Sequence, residues 1–270
     1  MERWFKGPAF LAAIVFFLLL TGTAKAQLFL EEGKVVLAVS GGERVNKSIV
    51  IHNTSNKSIN LKVYWEDFQY QPPYDGLKAF LAAGTSPQSA AQWVTYAPTE
   101  LTLPPSGQQK IDYTISVPEQ IEAGHYGVLF FEDTNPIKDV SGVNIVTRVG
   151  SLFFIEPKGK LKKAAIENIQ VSGSNLTGDF SNQGNVVLIP RMTYYIMDDA
   201  GVVVGRGEVK KLYVPPGATA QWQVTLPENL AAGRYSFVLN SDLEEGEVVV
   251  KEIEFVKDAS GQLSVQNVKD

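Results

Sequence analysis

Two stretches of this chain repeat one pattern, and the repetition limits the fold more than any other feature. Residues 103–133 read LPPSGQQKIDYTISVPEQIEAGHYGVLFFED, and residues 214–239 read VPPGATAQWQVTLPENLAAGRYSFVL. In the first, Ile111, Tyr113, Ile115 and Val117 alternate with Lys110, Asp112, Thr114 and Ser116. A period of two puts the apolar set on one face of a half-buried strand. In the second, Trp222, Val224 and Leu226 alternate with Gln221, Gln223 and Thr225. Pro118 to Gly124 has the same spacing as Pro227 to Gly233, and Gly124-His125-Tyr126 matches Gly233-Arg234-Tyr235. Asn53-Thr54-Ser55-Asn56 and Asn182-Gln183-Gly184-Asn185 occupy matching turns upstream. The expected fold is therefore all-β, with two tandem immunoglobulin-like sandwiches. Tyr126 and Tyr235 each enter a strand after a turn, where a tyrosine corner returns the hydroxyl to nearby backbone.

The first unit reads as seven or eight strands. They fall at Lys34 to Val39, Arg44 to His52, a third through Ile59, Leu61, Val63 and Trp65, Trp93 to Tyr96, Glu100 to Leu103, Lys110 to Val117, Tyr126 to Phe131, and Asn144 to Ile155. Short strands at regular spacing between Gly, Pro and Asn turns indicate a sandwich. Ile49, Ile51 and Trp65 are core candidates. Relative to the second unit the first carries an insertion at 69–92, which includes Gln71-Pro72-Pro73-Tyr74-Asp75-Gly76 and then LKAFLAA, long enough for about two helical turns. It reads as a cover over a sheet edge or as a partner-contact loop, with Tyr70, Tyr74 and Phe80 as its contact candidates.

The expected divisions are a leader at 1–26, a sandwich at 27–157, a second at 158–257 and a frayed tail at 258–270. Lys158, Lys160, Lys162 and Lys163 around Pro157 and Gly159 read as a solvated hinge. In the leader, Arg3 and Lys6 precede an apolar run from Ala9 to Leu20 and an Ala24-Lys25-Ala26 cleavage site. That is the form of a secretory signal, too short for a membrane span. The chain is expected to be exported and to begin at Gln27 after cleavage. Localisation follows as periplasmic, with cell surface or secreted as alternatives.

Composition excludes several functions. A net charge of −5, more negative still without the leader, disfavours nucleic acid and anionic membranes. No cysteine is present, so the domains hold without disulfides. His52 and His125 are the two histidines and share no metal-ligand spacing. No nucleophile elbow or phosphate-binding glycine loop occurs. Glu66-Asp67 and Glu132-Asp133 would lie at opposite ends of antiparallel neighbours, too far apart for a glycosidase pair. No enzyme, no metal and no cofactor is expected. The Asn-x-Ser/Thr triplets at Asn46, Asn53, Asn56 and Asn175 read as surface polarity.

KVVLAVSGGE, IVIHNTSN, LKVYWED and the Pro98 to Gly107 run together resemble the N-terminal domain of the PapD-like periplasmic pilus-assembly chaperones, over about residues 30–157. The run Thr147-Arg148-Val149 to Phe153-Phe154-Ile155-Glu156-Pro157 is similar to that domain's last strand. Residues 89–107 and 148–155 also resemble the peptidoglycan-binding domain of WxL surface proteins. The chaperone resemblance implies a fold of two immunoglobulin-like domains and a client held by its terminal carboxylate between an Arg and a Lys. It also implies apolar residues lent from the last strand. Here the basic positions are Lys34 and Arg148, converging near the inter-domain cleft, and the lent residues Val143 and Ile145. Ser141 and Asp139 break the alternation before them, which shortens the donor run. The expected partner is another exported or surface protein. The alternative is a structural module binding peptidoglycan or polysaccharide through Tyr70, Tyr74 and Phe80. A surface acid such as Asp139 is the competing partner for Arg148.

Overall fold

The computed structural model describes residues 27–138 and 141–269. The expected leader and its cleavage after Ala26 lie outside these residues, as does Asp139. Among the described residues, all regular structure is β. The first sandwich contains β1 (Leu28–Leu30), β2 (Lys34–Val39), β3 (Arg44–Asn53), β4 (Ile59–Tyr70), β5 (Lys78–Ala82), β6 (Val94–Ala97), β7 (Glu100–Leu103), β8 (Gln108–Ser116), β9 (His125–Asp133), β10 (Ile137–Lys138), β11 (Asn144–Ile145) and β12 (Arg148–Pro157). The second contains β13 (Ala164–Ser172), β14 (Asn175–Asn182), β15 (Arg191–Asp198), β16 (Val203–Glu208), β17 (Thr219–Thr225), β18 (Gly233–Asp242), β19 (Val248–Lys257) and β20 (Leu263–Lys269).

In the first sandwich, a sheet ordered β1-β3-β8-β6 faces one ordered β2-β12-β9-β4-β5, with β7 also on β4. β2 runs parallel to β12, and the remaining pairings are antiparallel. The alternation read from sequence is the burial pattern: Ile111, Tyr113 and Ile115 are buried against Ile49, Ile51, Leu61, Val63 and Trp65. In the second, β13-β14-β17 faces β16-β15-β18-β19-β20 around Trp222, Phe180, Phe237 and Phe255.

The paired asparagines show why the two domains share a turn. Asn53 donates through Nδ2 to the carbonyls of Lys57, Leu103 and Pro104 and accepts from the Ser55 N–H. Asn182 donates to Val186 and Val214 and accepts from the Gly184 N–H. Each is about as buried as a core leucine and stitches its own turn to the Pro-Pro turn ahead of the next long strand. Asn53 is thus an interior tie and not the surface polarity expected of its triplet.

Four further expectations are corrected. LKAFLAA forms strand, not helix: β5 extends the sheet edge, with Phe80 opposite Phe68 on β4. A long partner strand was available there, and pairing overrode the helix that the length allowed. The expected final strand from Asn144 to Ile155 breaks in two, since β11 folds back on β10 and β12 starts at Arg148. The expected tail contains β20, paired to β19, with Leu263 and Val265 packed on the core. Asp258 accepts the N–H groups of Ser260 and Gln262 and so closes the hairpin that brings β20 back. Finally, three of the four hinge lysines are tied down. Lys158 pairs with Glu43 at 3.0 Å, Lys160 with Glu245 at 2.6 Å, and Lys162 donates to the Leu243 carbonyl.

Candidate functional site: an open sheet edge beside an inter-domain cleft

β12 is covered unevenly. On one side β9 pairs with it from Arg148 to Ile155. On the other, β2 pairs only from Leu152 to Pro157. Among the described residues, no strand pairs with the second side of Arg148–Ser151. Leu152 donates its N–H to Gly33 on that side. Strand alternation then turns the amides of Gly150 and Arg148 the same way, toward solvent. These are unpaired backbone donors on a strand end, the feature that another chain uses for pairing.

The outward face of this sheet carries the second domain. Phe68, Tyr70, Tyr126 and Phe154 form a buried cluster with Val187, joined at its margin by Tyr74, Ile189 and Tyr213. Tyr126 is not a tyrosine corner. Its hydroxyl accepts the N–H of Val187 across the domain boundary at 2.8 Å, and burial raises its pKa. Gly124 makes this possible, because a Cβ there would sit 2.1 Å from the Tyr126 hydroxyl. Tyr235, by contrast, forms the expected corner and donates to the Ala231 carbonyl at 2.8 Å. No sequence signal separated the two tyrosines, since the difference comes from what packs against each.

Lys34 lies at the margin of this cluster, with its ammonium 4.6 Å from the Phe154 ring centre. It is exposed, and among the described residues no carboxylate is within ion-pair distance. Arg148 is placed differently. It shares the outward face with Lys34, yet Lys34 is opposite Leu152, four residues further along β12, a separation of about 13 Å at strand rise. Pro157 lies at the other end of β12, about 30 Å from Arg148, and the second domain's Val187 packs with Phe154, about 20 Å from Arg148. The two cations therefore do not converge at the cleft. Arg148 is instead engaged by Glu66 at 3.1 Å and the Tyr64 hydroxyl at 3.1 Å, and it lies 4.0 Å above the Phe130 ring. It caps an aromatic patch of Phe130, Phe80 and Tyr64.

Val143 and Ile145 are exposed, at 57% and 50%, beside the β10–β11 turn. Extending β12 backward would put Val143, Ile145, Thr147 and Val149 on the core-facing side, in step with Phe153 and Ile155. The insertion's aromatics are divided. Tyr70 is buried in the inter-domain cluster and Tyr74 packs at its margin, while Phe80 is partly exposed beside Arg148. His125, half-buried, sits with its ring centre 4.0 Å from that of Trp93, tilted by 44°, and contacts the Ser89 carbonyl; burial lowers its pKa. Among the described residues no group of acids and histidines is arranged to hold a metal, and no helix is long and apolar enough to cross a membrane.

No protein-family model matches the sequence, and no curated protein matches it. Solved structures do match in fold. A chain from the chaperone–tip adhesin complex of CFA/I fimbriae biogenesis superposes with a TM-score of 0.52 at 15% identity, covering 90% of this chain and 100% of that one. The class 5 fimbriae chaperone CfaA superposes with a TM-score of 0.51 at 14% identity, covering 89% of this chain and all of that one. Both likenesses extend through the two sandwiches, so this chain shares the fold of these two structures.

Proposed function

We propose that this chain is an exported, periplasmic, non-enzymatic chaperone-like protein that captures a pilus-type envelope or surface protein by strand addition. The observation that carries the reading is the uncovered edge of β12 at Arg148–Ser151. An extended client segment would pair there and gain affinity from backbone hydrogen bonds. Opening of the β10–β11 turn would let Val143 and Ile145 continue β12 and fill apolar positions in the client. Lys34, beside Phe154, is the residue suited to a client's terminal carboxylate. Arg148 acts through the aromatic patch it covers. The fold likeness to a fimbrial chaperone and to a chaperone–adhesin complex supports this class of partner. A glycan-binding module has weaker support, because Tyr70 and Tyr74 pack toward the second domain.

The test uses synthetic peptides with alternating apolar residues and a free C-terminal carboxylate. Val143→Asp with Ile145→Asp should abolish binding while changing stability by less than about 0.5 kcal/mol, as expected of exposed positions. Lys34→Glu, or amidation of the peptide, should weaken binding in similar proportion. Undiminished binding in the double variant would place the site elsewhere.

A further inference from the structure

The insertion at 69–92 makes contacts that neither an edge cover nor a partner loop requires. Its tip, closed by the Gln71 N–H bond to Leu77, reaches the second domain. Tyr74 accepts the Tyr213 N–H at 2.8 Å. The Tyr70 and Tyr213 rings stack at 5.0 Å and 24°. Asp75 pairs with Lys210 at 3.3 Å, and Lys78 sits 5.0 Å from the Tyr70 ring and 5.9 Å from that of Tyr213. Gly76, at φ +109°, lets the turn lie against Tyr213, where an added Cβ would come within 3.1 Å of the ring.

The return leg is anchored as firmly in the first domain. Asp67, fully buried, accepts the Ser86 N–H at 3.0 Å and the Ser89 hydroxyl at 2.7 Å. Gln88 accepts the N–H of Tyr126, the residue whose hydroxyl binds Val187 in the second domain. A buried carboxylate therefore fixes one end of the insertion, and a tyrosine stack fixes its tip to the other sandwich.

We propose that the insertion is an intramolecular brace that holds the two sandwiches at one angle. Domains joined by one covalent crossing move relative to each other by default. Here the chain crosses at Pro157–Lys163, and Asn185 adds bonds to Glu122 and Gly124. The insertion supplies another attachment, on the β4–β5 side of the Tyr126–Phe154–Val187 cluster. Attachments on separate sides of one packed cluster suppress both bending and twisting about it. Resting on the function proposed above, a consequence follows for the partner. The brace closes the β4–β5 side of the cleft, and a client enters from the β2–β12 side, where Lys34 and the open edge lie.

Because the chain lacks cysteine, spin labels at Lys47→Cys and Gln223→Cys, both exposed positions on different sandwiches, report the inter-domain distance cleanly. The parent should give one narrow distribution. Tyr213→Ala should broaden it, as should a variant in which two glycines replace residues 71–77 between β4 and β5, a length suited to a hairpin. Tyr213 is only half-buried, so its variant keeps the fold, which circular dichroism checks for both. An unchanged narrow distribution in both folded variants would overturn the brace. Peptide capture is not part of this readout, so loss of the brace and failure of the capture proposal are told apart.

Discussion

Tyr126→Ala should unfold or separate the two sandwiches, with a loss of about 3–5 kcal/mol, the range for removing a large aromatic from a core. Tyr126 is 2% exposed. Its ring contacts Phe68 and Phe154 at centroid distances of 6.0 and 5.4 Å, and its hydroxyl binds Val187. The informative variant is Tyr126→Phe. It keeps the ring and orphans one buried N–H, an effect of about 1–3 kcal/mol, and it should turn a shared unfolding transition into two. Tyr235→Phe should lower the shared transition without splitting it, because the Tyr235 hydroxyl bonds within its own turn. Calorimetry on the three variants distinguishes an inter-domain clamp from a local corner. Equal and purely local effects of both Phe variants would contradict the clamp.

Asn182→Leu should have the largest effect on the second sandwich. The substitution strips partners from the Val186 carbonyl and the Gly184 N–H, while the Val214 carbonyl keeps the Leu188 N–H as a partner. At about 1–3 kcal/mol for each group left unsatisfied, the loss is about 2–6 kcal/mol, a large share of the stability of a small domain, about 5–15 kcal/mol. Asn53→Leu should do the same to the first sandwich, where the side chain donates to three carbonyls. Urea denaturation checks both, and a lower midpoint is expected for each variant. If either variant unfolds at the parent midpoint, the turn is not held by its asparagine.

Much of this was legible in sequence, for a definite reason. Ile111-x-Tyr113-x-Ile115 and Trp222-x-Val224-x-Leu226 alternate because one face of each strand is buried, and a slip of one residue would reverse the faces. The matched Asn and Pro-Pro turns carried the repeat because the side chain of one bonds the backbone of the other. What sequence did not show depends on partners distant along the chain. LKAFLAA is long enough for two helical turns, and its pairing with β4 makes it a strand. β20 was hidden in a polar tail whose apolar residues, Leu263 and Val265, find cover only on the second core. At the site, the candidacy of Lys34 and of the last strand was read from resemblance and pattern. The engagement of Arg148 by Glu66 and Tyr64 was not, because it depends on the register between β4, β9 and β12.

The most direct test of the central claim is amide hydrogen exchange, residue by residue, with and without an alternating apolar peptide bearing a free carboxylate. Strand addition predicts slower exchange at Arg148 and Gly150, whose N–H groups face the open side, and new protection from Val143 to Thr147 as that segment joins β12. Val149 and Ser151, already directed at β9, should change little. Unchanged exchange at Arg148 and Gly150 with protection confined to residues 71–77 would contradict the account and assign binding to the insertion.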